Sequence, residues 1–257
     1  MNAVLKAESL TRVFPSPGGD VVAVRDVDLE VSPGELVVVA GRSGAGKTTL
    51  LTMLGGLDRP TSGRVLIDGA DLSDPSTDAT GLRGSRIASI FQTAGLIPVL
   101  SAAENVEVPL RIRRVDPAER DRRVAEALRD VGLEDHAPQR PGELSGGQQQ
   151  RVGIARALVM QPGILLADEP TAQLDSETGA QIMDLIARLV HERGTAAIVA
   201  THDPAMLARA DRVLELHDGE LRRRSPRRDA RRAALQAEHA ATLAGPRTQP
   251  RQSEEPR

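Results

Sequence analysis

Cysteine, tryptophan and tyrosine are absent from these 257 residues, and phenylalanine occurs only twice. Without cysteine, disulfides and thiolate metal sites are excluded, and nothing points to an oxidising compartment. Long apolar runs are missing too. A bilayer-spanning helix needs about 18–20 consecutive apolar residues, and the longest runs here, Leu36–Ala40 and Gly163–Ala167, have the length of buried strands. Met1–Arg12 carries no hydrophobic signal region. The chain is therefore expected in the cytoplasm, with any membrane role reached through a partner. Lysine is scarce as well: only Lys6 and Lys47 occur, and every other basic residue is arginine, which makes the position of Lys47 informative.

What is present is ordinary for a globular enzyme: 40% hydrophobic and 27% charged residues, enough chain for one sizeable core with room for a satellite subdomain. The net charge of −3 conceals an asymmetry. From Arg222 onward there are ten arginines against four acids, a local +6, which leaves the body near −9. A body so acidic argues against general nucleic-acid binding, and no nucleic-acid partner is expected.

Periodicity predicts the elements. Val4–Val13 and Val21–Val31 alternate loosely around a Pro15–Gly19 turn and predict a β-hairpin. Leu36–Ala40, Ile164–Ala167, Ala196–Ala200 and Val213–Leu216 read as buried strands, and Val65–Ile67 before Asp68-Gly69 as another. A helix opens at Lys47 and ends near Gly55–Gly56, and amphipathic helices are expected over Ala118–Val131, Gln148–Val159 and Thr178–Arg193. Buried strands alternating with such helices indicate an α/β fold with a mainly parallel sheet. The tail from Arg222 reads as a flexible extension with a short helix over Leu235–Leu243, its last dozen residues disordered.

Gly41-Arg42-Ser43-Gly44-Ala45-Gly46-Lys47-Thr48 fits G-x-x-x-x-G-K-[ST] between a predicted strand and a predicted helix that continues with Thr49. Glycines let backbone N–H groups converge on phosphate oxygens, and the helix N-terminus adds a favourable dipole. Lys47 supplies a point charge to the β- and γ-phosphates, and the Thr48 hydroxyl is a Mg²⁺ ligand candidate. At the end of Ile164–Ala167 stand two adjacent carboxylates, on the sheet edge where α/β folds bind ligands. Neighbouring residues of an extended chain point apart, so Asp168 is the candidate for the metal and Glu169 for the base or orienter of an attacking water. Taken alone, the pair also reads as two solvated acids at a strand end.

Leu144-Ser145-Gly146-Gly147-Gln148 is a second anion-binding helix start, with Ser145 as N-cap and two glycines exposing N–H groups. Here the residues resemble a known family, the ATP-binding-cassette ATPases, whose signature motif this segment resembles. The resemblance covers residues 3 to about 221. It implies a P-loop core with an N-terminal antiparallel β subdomain, and a helical subdomain over about 93–160 that carries the signature. It also implies ATP with Mg²⁺, and two copies sandwiching ATP head to tail, Ser145 to Gln148 facing the nucleotide of the other copy. Phe91-Gln92 resembles the Q-loop, with Gln92 touching Mg²⁺ or water and linking to a transmembrane partner. Leu174-Asp175 resembles the D-loop, with Gln173 where alanine or asparagine is common. Thr201-His202-Asp203 resembles the switch, with His202 on the γ-phosphate. Phe14 stands where an adenine-stacking tyrosine is usual, and is read as that stacking residue; the alternative is a place in the core.

Leu96–Val106 and Arg209–Val213 resemble the lipoprotein-release, macrolide-efflux and cell-division branch, whose ATPases work with a permease bearing a large extracytoplasmic domain. The expected arrangement is therefore an ATPase domain over 1–221 at the inner face of the membrane, held there by permease subunits, with 222–257 as a basic tail. Arg222–Arg232 has two readings, a solvated extension or a contact with anionic lipid. The competing function is a cassette ATPase acting on a non-transport partner such as nucleic acid or the division machinery. The long coiled coils and second cassettes of soluble members are missing from this sequence.

Overall fold

The computed structural model describes residues 3–223. The expected Leu235–Leu243 helix lies outside the described residues. So does the proposed lipid contact, apart from Arg222 and Arg223. In chain order the elements are β1 (Leu5–Phe14), β2 (Val21–Val31), β3 (Leu36–Ala40), α1 (Lys47–Leu54), β4 (Ser62–Ile67), β5 (Ala70–Asp71), α2 (Ala79–Arg86) and β6 (Ile87–Ile90). There follow α3 (Ala102–Ile112), α4 (Pro117–Asp130), α5 (Gly146–Leu158), β7 (Ile164–Asp168), α6 (Ser176–Arg193), β8 (Ala196–Ala200), β9 (Arg212–His217) and β10 (Glu220–Arg223). Arg222 and Arg223 thus end a strand, two residues beyond the expected edge of the domain.

Two sheets share the work. One is four-stranded and antiparallel, in the order β2-β1-β4-β5; the other is six-stranded, in the order β10-β9-β3-β8-β7-β6, and parallel from β9 to β6. Along the central strands, side chains alternate between two separate cores. Leu36, Val38, Leu165, Ala167, Ala197 and Val199 pack with α3, α5 and α6. Val37, Val39, Ile164, Leu166, Ile198 and Ala200 pack with α1 and the antiparallel sheet. A sheet buried on both faces requires apolar residues at every position, which is why these strands are continuous runs rather than alternating ones. Each fully buried Leu, Ile or Val contributes about 1.5–3 kcal/mol before chain entropy is counted.

The helices begin where their chemistry says. Asp116 caps α4 with Pro117 at its first position, and Asp175 caps α6 by accepting from the N–H groups of Glu177 and Thr178. Gly194, at φ 64°, ends α6 in the left-handed conformation that glycine adopts without Cβ strain. Ser101 and Glu104 close a reciprocal capping box at the start of α3. No helix among the described residues is long and apolar enough to cross a membrane.

Asn105 organises the approach to α3. Its side chain is fully buried, accepting from the Ile97 N–H (2.8 Å) and donating to the carbonyls of Ile97, Leu100 and Ser101 (3.2, 3.1 and 3.0 Å). Asn105→Ala leaves several of these buried groups without partners. The expected cost is about 2–4 kcal/mol, seen as a lower urea midpoint together with faster amide exchange at Ile97.

Candidate functional site

The parallel register assembles the site. Ala200 of β8 lies opposite Val39 of β3 on one side and Asp168 of β7 on the other. The residues leaving these strands at their carboxyl ends, Gly41, Glu169 and Thr201, therefore emerge side by side, on the edge where open α/β sheets bind ligands.

Gly44 and Gly46 adopt left-handed φ values of 80° and 98°. A Cβ on Gly46 would lie 2.1 Å from the Ala23 carbonyl oxygen of β2, and one on Gly41 would lie 2.7 Å from the Leu216 carbonyl oxygen of β9. The loop is thus pressed between strands of both sheets, and glycine is needed for space as well as for φ. Lys47, the first residue of α1, is 8% exposed. Its ammonium donates to the carbonyls of Gly41 (2.9 Å) and Arg42 (3.2 Å) and pairs with Glu169 Oε1 at 3.3 Å. A buried ammonium needs such compensation, and it holds the charge at the centre of the loop.

The two carboxylates separate as expected. Thr48 Oγ1 donates to Asp168 Oδ2 at 2.6 Å, whereas Asp168 Oδ1 is buried with no hydrogen-bond partner among the described residues. A buried carboxylate oxygen left unpaired is costly unless something else binds it. Glu169 turns the other way through a left-handed φ of 44°, its N–H still donating to Ala200. Thr201 Oγ1 donates to its Oε2 (3.2 Å), and His202 Nδ1 lies 3.2 Å from its Oε1. Thr201 also accepts from the Asp203 N–H at 3.1 Å, tying the switch segment to the carboxylate. Gly41–Thr48, Asp168, Glu169 and His202 are therefore brought together in one chain.

The remaining candidates lie elsewhere. Ser145 and Gln148 form a reciprocal capping box at the start of α5, and Gln148 Nε2 reaches His136 Nε2 at 3.2 Å. This helix start abuts the D-loop side of α6: a Cβ on Gly147 would fall 2.5 Å from the Thr178 side chain, and Gly146 faces Leu174. Gln92 is exposed and lines a cleft with Gly146, Pro170 and Gln173. Asp175 is occupied as the cap of α6. The N–H of Thr178, with its hydroxyl and the N–H of Glu177, holds the Asp175 carboxyl below the usual range. Phe14, 38% exposed, is not a core residue. Its strand β1 pairs with β2, Phe14 opposite Val21, and β2 carries the Ala23 carbonyl that approaches Gly46.

Arg156 was not singled out from sequence. From α5 it donates to the carbonyls of Ala94 (2.5 Å) and Gly95 (2.9 Å), pinning the segment after Gln92, and burial pushes its guanidinium down from the ordinary value. An arginine inside an otherwise apolar stretch of helix was the available signal.

The ABC transporter family model matches residues 24–172, which includes the phosphate loop, the signature segment and the acidic strand end. The chain belongs to this family. It is 45% identical over 219 residues to the lipoprotein-releasing system ATP-binding protein LolD of Chromohalobacter salexigens, covering 85% of this chain and 92% of that one. It is 41% identical over 233 residues to the macrolide export ATP-binding/permease protein MacB of Salmonella choleraesuis, covering 90% of this chain but only 36% of that longer one. Among solved structures, a dimeric post-hydrolysis state of the ATP-binding cassette MJ0796 bound to ADP and Pi matches with a TM-score of 0.77 and 42% identity, covering 85% of this chain and 97% of that one. As an ABC ATPase the chain binds and hydrolyses ATP.

Gly46→Ala should abolish ATP binding in this ABC ATPase while secondary structure persists. The added Cβ meets both a forbidden φ, at about 1–2 kcal/mol, and the Ala23 carbonyl. Calorimetric titration with ATP, paired with far-ultraviolet circular dichroism, reads both outcomes.

Proposed function

We propose that this chain is the ATP-hydrolysing subunit of a transporter of the lipoprotein-release and macrolide-export type. In this reading two copies close head to tail around two ATP molecules and so drive a separate permease at the inner face of the membrane. One observation carries the shared site. The phosphate cradle of β3–α1 is complete within the chain, yet a second helix start at Gly146 and Gly147 offers N–H donors with no partner among the described residues. A first-turn amide pair of this kind suits an anion supplied by another copy. The dimeric state of the MJ0796 cassette bound to ADP and Pi supports the association of two copies.

In this mechanism the N–H groups of Gly41–Thr48 hold the α- and β-phosphates, and Lys47 moves its charge onto the β- and γ-oxygens. Lys47 now pairs with Glu169, so an arriving phosphate competes for the ammonium and frees Oε1. Glu169 then accepts a proton from water as its oxygen attacks the γ-phosphorus and ADP leaves. His202, beside Oε1, contacts the γ-phosphate. Thr48 and Asp168 are the residues that would hold Mg²⁺; the orphaned Asp168 Oδ1 is a hard oxygen donor suited to it. When bound, the ion would neutralise negative charge on the phosphates.

Contact with the permease is supported by the segment around Gln92. Phe91, Ile97 and Val99 are large apolar residues left exposed there, while Arg156 and Asn105 hold the backbone from beneath. Apolar groups presented on a rigid backbone suit a protein partner.

Glu169→Gln is expected to lower turnover by about 10²- to 10⁴-fold and to yield an ATP-dependent dimer in size-exclusion chromatography; wild-type turnover in that variant would sink the assignment of the base. Ser145→Arg should abolish hydrolysis and dimer formation while each chain still binds ATP. Equal loss of binding would mean that the signature acts within its own chain.

A further inference from the structure

Phe14 is one of two aromatic residues in the chain, and Phe91 lies on the opposite, Q-loop side of the sequence motifs, before Gln92. The ring of Phe14 is not free on both faces. The Arg12 guanidinium carbon sits over it, 4.5 Å from the centroid. Arg12 is fixed in turn by Asp58: Nη2 donates to Oδ1 at 3.0 Å, and Nε lies 2.9 Å from Oδ2. Both side chains of this pair are half-buried, so the guanidinium is held more firmly than in an exposed pair. Asp58 follows α1, and the same segment is stitched to β1 through Thr61, whose N–H donates to the Thr11 carbonyl and whose Oγ1 accepts from the Val13 N–H. A continuous set of contacts therefore runs from the helix that opens at Lys47 to the face of Phe14.

We propose that Arg12, locked by Asp58, is a positioning residue for the purine base of ATP: it occupies one face of Phe14 and leaves the other as the only stacking surface. The inference rests on the reading that Phe14 stacks on the base, and deepens it. Stacking draws on the ring face and its orientation. A cation on one face excludes the base from that side and restrains the ring, so the base meets an ordered platform rather than a ring that must be ordered on binding. The phosphates do not share this contact. Their cradle is built by the backbone of Gly41–Thr48 and by Lys47, not by the ring.

The test compares ATP with tripolyphosphate, which carries the phosphates and no base, by calorimetric titration of the full chain in the same magnesium buffer. Arg12→Met should weaken ATP about two- to five-fold and leave tripolyphosphate unchanged; Arg12→Lys, which keeps the cation, should lose less. Asp58→Asn should move ATP affinity in the same direction as Arg12→Met. Phe14→Leu should lower ATP affinity selectively and at least as much. If Phe14→Leu shifts the ratio of the two affinities while Arg12→Met leaves it at the wild-type value, the role of Arg12 is overturned and the stacking reading survives. If Phe14→Leu also leaves the ratio unchanged, the stacking reading falls and takes this one with it. If Arg12→Met weakens both probes equally, Arg12 serves the fold and not the base, which equally overturns the proposal.

Discussion

The Lys47 ammonium is held by two carbonyls of its own loop and by the Glu169 carboxylate, and the rest of the site is arranged around that small, nearly buried charge. The carbonyls belong to Gly41 and Arg42, so the loop must curl back over the residue that follows it. That curl needs left-handed glycines at 44 and 46, and the space it occupies is bounded by β2 and β9. The carboxylate belongs to the strand two places away in the sheet, reached across β8. One interaction thereby joins the first and the second halves of the sequence. In the proposed mechanism it also pairs the two groups that hydrolysis must separate, the cation that would go to phosphate and the carboxylate that would go to water.

Holding these groups within ångströms requires strands that do not slip. Register is pinned where one residue's shift would invert which side chains face which core. Here the inversion would be especially costly, because both faces of the central strands are buried against different partners. Moving β8 by one residue would send Ile198 toward α6 and Val199 toward α1, and would carry Thr201 away from Glu169 by a strand step. The two-sided core and the catalytic geometry are the same constraint seen at two depths.

This explains what could be read from the residues alone. The central strands were legible because burial on both faces writes a continuous apolar run, and α4 and α6 because burial on one face writes a stripe. Other elements were not legible, among them the short strands β5 and β10 and three more. α2 has no buried residue and so no stripe, β6 is a four-residue edge strand with only Ile90 fully buried, and α3 contains Pro109 within its apolar pattern. At the site, the phosphate loop was legible because its chemistry is local. The close approach of Ala23 to Gly46, the hold of Arg156 on Ala94 and the pairing of Arg12 with Asp58 were not, since each joins residues far apart in sequence and leaves no periodic trace. For Phe14 the sequence offered both stacking and core readings; at 38% exposure the side chain lies outside the buried cores.

Buried polar groups complete the same logic on the helical side. Asn105 and Arg156 are placed where hydrophobic residues would pack more simply, yet each spends its donors on carbonyls of the irregular segment between Gln92 and α3. A loop cannot satisfy its own backbone as a helix does, so side chains from the neighbouring helices take up its carbonyls. With those carbonyls held from the helices, Ile97 and Val99 stay exposed on the segment, as does Phe91 just before it. Arg156 and Gln148 stand on the same helix, α5, one holding the loop after Gln92 and the other closing the signature cap. A displacement of that helix would therefore be felt at both places together, which is the mechanical property a subunit needs if closure around ATP is to be transmitted to a partner.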